Sequence, residues 1–227
     1  MASPITVTGF KHVGCFEFCE KVQRIQHHPV LTRLFITNPH DNLVTLVDVT
    51  FTVSPAIISA ASGIPNVREK WFKQGELDHF YYEPYLKTRY KNERKKIFPF
   101  SYLLDKYVPM MKIIMKYFTC EGSFSRLYSY HIWLLMHFTR VKMLNMPYYL
   151  YRSIEKMSFI TQNKYYDHQM QSIFHHSLIK MIVLHYLDQL NIAWDTFISN
   201  EIFTVPRIQH GQEASSSSHP LTSIPPP

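Results

Sequence analysis

Residues 87–96 read Lys-Thr-Arg-Tyr-Lys-Asn-Glu-Arg-Lys-Lys, in which Lys87, Arg89, Lys91, Arg94, Lys95 and Lys96 stand against one acid, Glu93. The stretch follows an aromatic run that includes Phe80, Tyr81, Tyr82 and Tyr85. Lysine and arginine neutralise phosphates, and exposed aromatic rings stack unpaired bases, so this interleaving suits RNA or single-stranded DNA. The competing reading is a solvated basic helix face beside buried tyrosines. Both stand at the level of sequence.

Other chemistry-bearing groups are scattered. Cys15 and Cys19 lie four apart, and His27 and His28 follow, so a zinc site can be assembled from ligand types alone. The spacing matches no finger or knuckle, and buried thiols on a helix face are commoner. Thirteen histidines occur without an H-E-x-x-H pair, and His175 and His176, adjacent on a helix, point about 100° apart. No metal or cofactor is therefore expected. Cys120, before Glu121-Gly122, needs a base brought near it by folding to become a nucleophile. Neither a G-x-S-x-G elbow nor a P-loop is present. Two-metal strand transfer needs carboxylates aligned on a sheet, yet only Asp48 falls on an expected strand, with Asp105, Glu155 and Asp188 on helical segments. These comparisons lead to a non-catalytic reading with no evident small-molecule substrate.

The chain of 227 residues is 46% apolar, 15% aromatic and 18% charged, a balance that supports a core and excludes general disorder. Six glycines argue against phosphate-cradling loops and turn-rich barrels, which leaves helices as the expectation. A formal charge of +7 favours acidic partners. Three cysteines and an N-terminus read as lacking a secretory leader place the chain in a reducing compartment, cytoplasmic or nuclear. Leu127 to Phe138 is the most apolar stretch, but a span needs about 20 such residues, so it reads as a core helix and no membrane partner is expected.

The elements that must position these groups read as a mainly α, irregular helical domain with one short strand or hairpin near residues 43–53. Asn42 to Val53 is the β-branched run. Ser54 and Pro55 then open a helix that Gly63 and Pro65 end. Further helices are expected over Phe16–Ile25, His28–Phe35, Tyr85–Lys95, Phe100–Tyr107, Pro109–Thr119, Ser123 or Ser125 to Leu144, Tyr148–Thr161, His168–Leu190 and Trp194–Asn200. The organisation is an N-terminal helical segment (1–40), a helical domain (41–205) and a Ser/Pro-rich tail (206–227) with no capacity for a core.

Between Ser54 and Phe203 the phrases Ser54-Pro55-Ala-Ile-Ile58, Ser62-Gly-Ile-Pro65, Glu69-Lys70-Trp71-Phe72, Tyr81-Tyr82-Glu83-Pro84-Tyr85 and the stretch from Met110 to Phe138 occur in order. In this the chain resembles the helical proteins encoded by plant retroelements, described as plant transposon proteins or gag-like open reading frames. The resemblance implies a plant source, a mostly helical fold and descent from an element-encoded protein, and the leading expectation is a binding or assembly protein that self-associates through helical faces. The resemblance carries over no active site. The C-x2-C-x4-H-x4-C knuckle usual in a full gag protein is absent, which implies a fragment or an isolated domain. The alternatives are an enzyme whose site forms only on folding and a decayed element product without activity.

Overall fold

Ser54, Pro55 and Gly63 show how local chemistry sets an element. The Ser54 hydroxyl accepts the Ile57 N–H at 3.3 Å, Pro55 occupies the first helical position, and Gly63, at φ +81°, closes the helix with its N–H on the Ser59 carbonyl. The computed structural model describes residues 9–11, 14–26, 28–37, 39–40, 42–67, 83–87, 97–119, 124–140, 144–162 and 175–203. Within these, a helical turn at 9–11 leads to α1 (Phe16–Arg24), α2 (Pro29–Thr37), β1 (Pro39–His40), β2 (Leu43–Leu46), β3 (Val49–Thr52) and α3 (Pro55–Ser62). Then come β4 (Ile97–Pro99), α4 (Val108–Tyr117), β5 (Arg126–Tyr128), α5 (Ser129–Arg140), α6 (Met146–Gln162), α7 (His176–Gln189) and α8 (Trp194–Ile198). The described residues are mainly helical, with two small antiparallel sheets.

The first sheet is the expected hairpin with a short third strand. Val44, Leu46, Val49 and Phe51 face inward, while Thr45, Thr50 and Thr52 alternate outward, the period of two that a half-buried strand requires. Its register pairs Leu46 with Val49 around a two-residue turn whose Val47 and Asp48 both have positive φ (52° and 61°). One edge is short and contains Pro39. The other is closed by Tyr186, whose hydroxyl accepts the Thr52 N–H at 3.0 Å and donates to the Thr52 carbonyl at 3.2 Å.

The helices form two groups on one continuous core. Around the hairpin, α3 packs on α6 and α7, and α2 packs on the same pair. In the second group α4 packs on α5, with β4 and β5 paired beside them. Helix α1 and the two residues after it join the two: Gln23 donates to the Tyr117 hydroxyl at 2.8 Å, and Lys180 of α7 donates to the Gln26 carbonyl at 3.0 Å. Phe118 stacks 5.9 Å from Phe10 and lies 5.5 Å from Phe18 and 5.4 Å from Phe138, so residues distant in sequence share one aromatic cluster.

Several element boundaries differ from the sequence reading. The span expected as one helix from Ser123 or Ser125 to Leu144 opens instead with β5, because Arg126–Tyr128 pair with Ile97–Pro99, a non-local match that periodicity does not register. Phe100–Tyr107 forms two short 3-10 turns, Phe100–Tyr102 and Asp105–Tyr107, because Leu103 bridges Leu86 and draws the backbone out of the helix. The expected Tyr85–Lys95 helix does not start at Tyr85: Glu83–Tyr85 is a 3-10 turn and Leu86 is in the bridge, while 88–96 lie outside the described residues. Helix α7 begins at His176, because His175 takes the left-handed conformation (φ 65°, ψ 26°), while 168–174 of the helix expected over His168–Leu190 lie outside the described residues. Among the described residues no helix is long and apolar enough to cross a membrane.

Candidate functional site

Of the six basic residues in the aromatic-basic stretch, Lys87 is described; Arg89, Lys91, Arg94, Lys95 and Lys96 lie outside the described residues, as do Phe80, Tyr81 and Tyr82. The Lys87 N–H donates to the Tyr102 carbonyl at 2.9 Å, and its ammonium pairs with Asp105 at 3.1 Å. Asp105 is 89% exposed at its side chain, so this is a surface pair of little energetic weight. The far end of the stretch enters β4 at Ile97, paired with Tyr128. Both ends are thus tied to the same small β region: one through Leu86 and Leu103, the other through β4 and β5.

The thiol pair behaves as core. Cys15 and Cys19 are buried on α1 and at its start, and burial pushes the Cys15 thiol up, with Cys19 adding to it. Burial likewise pushes Cys19 up to about 12. Protonated thiols are poor nucleophiles and poor ligands. No group of three or more His, Cys, Asp and Glu suited to a metal occurs among the described residues. His27 and Cys120 lie outside them.

The histidines instead cap and bridge. His28 precedes α2 and accepts the Leu31 N–H on Nδ1 at 3.2 Å, an N-cap made by an imidazole. Burial and then Lys180 hold its pKa below the usual value. His176 Nδ1 lies 3.0 Å from the Thr32 hydroxyl, which donates to the His28 carbonyl at 3.1 Å, so His176 is the donor and its proton sits on Nδ1. His131 is fully buried, with Nδ1 accepting the Tyr128 N–H at 3.0 Å and Nε2 therefore donating to Thr119 at 3.2 Å.

Two features arise that local sequence does not signal. Ser153 Oγ lies 2.9 Å from His175 Nε2, the geometry of a nucleophile and its base. Burial, with His176 contributing, lowers the His175 pKa to about 4, which makes it a weak base near neutral pH. The second feature is a cleft of about 210 Å³ between the hairpin and α6, lined in part by Val44, Val53, Ile154 and Phe159. At its side the Tyr151 hydroxyl donates to Asn42 at 2.8 Å, and Glu155 is paired with Arg152. Burial, then the neighbouring Glu155, raises the Tyr151 pKa.

No family model, no curated protein and no solved structure matches this chain. The functional reading accordingly stands on the residues themselves. A larger groove, about 480 Å³, lies between α1 and α4, with Lys112 and Lys116 one helical turn apart at its mouth. The sequence marks those lysines as one face of a helix; it carries no signal that Phe16, Ile113 and Phe124 meet across the groove.

Proposed function

We propose that the chain is a non-catalytic binding and assembly protein of transposable-element origin, acting inside the cell and contacting single-stranded nucleic acid through Lys87, Arg89, Lys91, Arg94, Lys95 and Lys96. The observation that carries the reading is the anchoring of this stretch at both ends, at Lys87 by its N–H on the Tyr102 carbonyl and at Ile97 by its pairing with Tyr128. A basic segment held at both ends loses less conformational freedom when it closes on phosphates, so more of its attraction appears as affinity. The transposable-element origin rests on the resemblance of the ordered phrases between Ser54 and Phe203.

The test is retention of labelled single-stranded RNA as a function of salt, comparing the native chain with one carrying Lys91→Ala, Arg94→Ala, Lys95→Ala and Lys96→Ala. Removing four phosphate contacts is expected to weaken binding and to flatten the salt slope by about 3 units. An unchanged affinity and slope in the quadruple variant would sink the nucleic-acid part. Light scattering with and without RNA addresses assembly: growth in mass supports it, and a monomer indifferent to RNA opposes it.

The reading from another class is an enzyme whose site forms only on folding, and the Ser153–His175 contact favours it. A base held near pKa 4 takes up a proton from serine far less readily than one poised near 7, which leaves the binding reading ahead.

A further inference from the structure

We propose that the groove between α1 and α4 receives one unpaired base of a single strand, with preference for bases that carry an amino group. The proposal deepens the nucleic-acid reading above and rests on it. The groove, about 480 Å³, falls within the range of small-ligand sites. Phe16 and Ile113 form half-buried walls, and Phe124, 40% exposed, stands at the rim where a base can stack on it.

Three observations select a nucleotide over other apolar anions. Lys112 and Lys116 are exposed at the mouth on one face of α4; among the described residues neither is engaged in an ion pair, and the Lys116 ammonium, 5.0 Å from the centre of the Tyr117 ring, keeps its charge for phosphates as Lys112 does. The Glu20 carboxylate also stands at the groove. It can accept from the exocyclic amine of cytosine, adenine or guanine, a donor that an acyl carboxylate lacks. Uracil carries no such amine. Finally, Phe124 contacts Phe100 at 6.1 Å, and Phe100 follows β4, which begins directly after Lys96. The rim of the groove at Phe124 therefore lies beside the turn that follows β4, the strand next in sequence after the basic segment.

The experiment measures fluorescence anisotropy with labelled ten-residue oligocytidine, oligouridine and an abasic strand of equal phosphate number, at one salt concentration. The chain is compared with Phe124→Ala, Glu20→Gln and the quadruple basic variant of residues 91–96. Phe124 and Glu20 are solvent-exposed, so both single variants are expected to keep the native melting temperature. Phe124→Ala should bind oligocytidine about tenfold more weakly and the abasic strand equally well, because only the base is lost as a partner. Glu20→Gln should shrink the preference for oligocytidine over oligouridine, because an amide accepts from the amine less strongly than a carboxylate. If the native chain binds oligocytidine and the abasic strand equally, while the quadruple variant loses both, the groove proposal fails and the basic-segment reading stands. If the native chain binds none of the strands, both fail. Saturable binding of dodecanoate that Phe124→Ala abolishes, with oligonucleotide binding untouched, overturns the proposal in favour of an acyl ligand.

Discussion

His175 shows what burial does to a single titratable group. The ring is 5% exposed, holds the Ser153 hydroxyl at 2.9 Å and sits in left-handed backbone before α7. Its pKa falls from 6.5 to about 4, so the folded chain binds fewer protons than the unfolded chain between these values. The corresponding stability is fully present above pH 6.5 and is lost as the pH falls through 4, a total of about 3 kcal/mol. Urea unfolding across this window should show that decline. His175→Asn, which tolerates the left-handed conformation and does not titrate, should flatten it. His28 works in the same direction, since protonation would remove the acceptor that caps α2.

At the scale of elements, the hairpin contains an avoidable local strain. Val47 and Asp48 form its turn with φ of 52° and 61°, a conformation that a β-branched residue adopts rarely and Asn-Gly adopts readily. The flanking strands impose it, because Val44, Leu46, Val49 and Phe51 can all face the core only in the register that leaves two residues for the turn. Replacing Val47 and Asp48 by Asn and Gly should therefore stabilise the fold by about 1 kcal/mol, read from the shift in urea midpoint at constant slope. A loss of stability instead would mean that the Val47 side chain, packed against the core, contributes more than the strain it carries.

At the scale of the molecule, the aromatic cluster decides how the two helix groups hold together. Phe118 has its ring against Phe10, Phe18 and Phe138, and is completely buried. Phe118→Ala should cost about 3 to 5 kcal/mol, since it leaves a cavity where segments from 9–11, α1 and α5 meet. Phe159, 67% exposed beside the smaller cleft, offers the contrast: its replacement by Ala should shift stability by less than about 0.5 kcal/mol. Thermal unfolding of the two variants reads the difference directly.

Much of this architecture was legible in the residues because the forces were local. The Ser54-Pro55 start, the Gly63 stop and the alternation from Leu43 to Thr52 each depend on neighbours within four positions, and each appears as its residue types require. The cap of α6 is equally local: Asn145 accepts the Tyr148 N–H at 2.8 Å just before Met146-Pro147, and so starts the helix earlier than the expected Tyr148. What the chain alone could not decide depended on pairing across long separations. Ile97–Pro99 became a strand only against Arg126–Tyr128, His175 met Ser153 across 22 positions, and Phe16 came to share a groove with Phe124. The sequence by itself determined a helical chain with a core, a hairpin and a basic stretch, because composition and short-range periodicity act along the chain. Tertiary structure alone decided which side chains face one another, because burial, desolvation and the closure of a groove exist only once distant elements have packed.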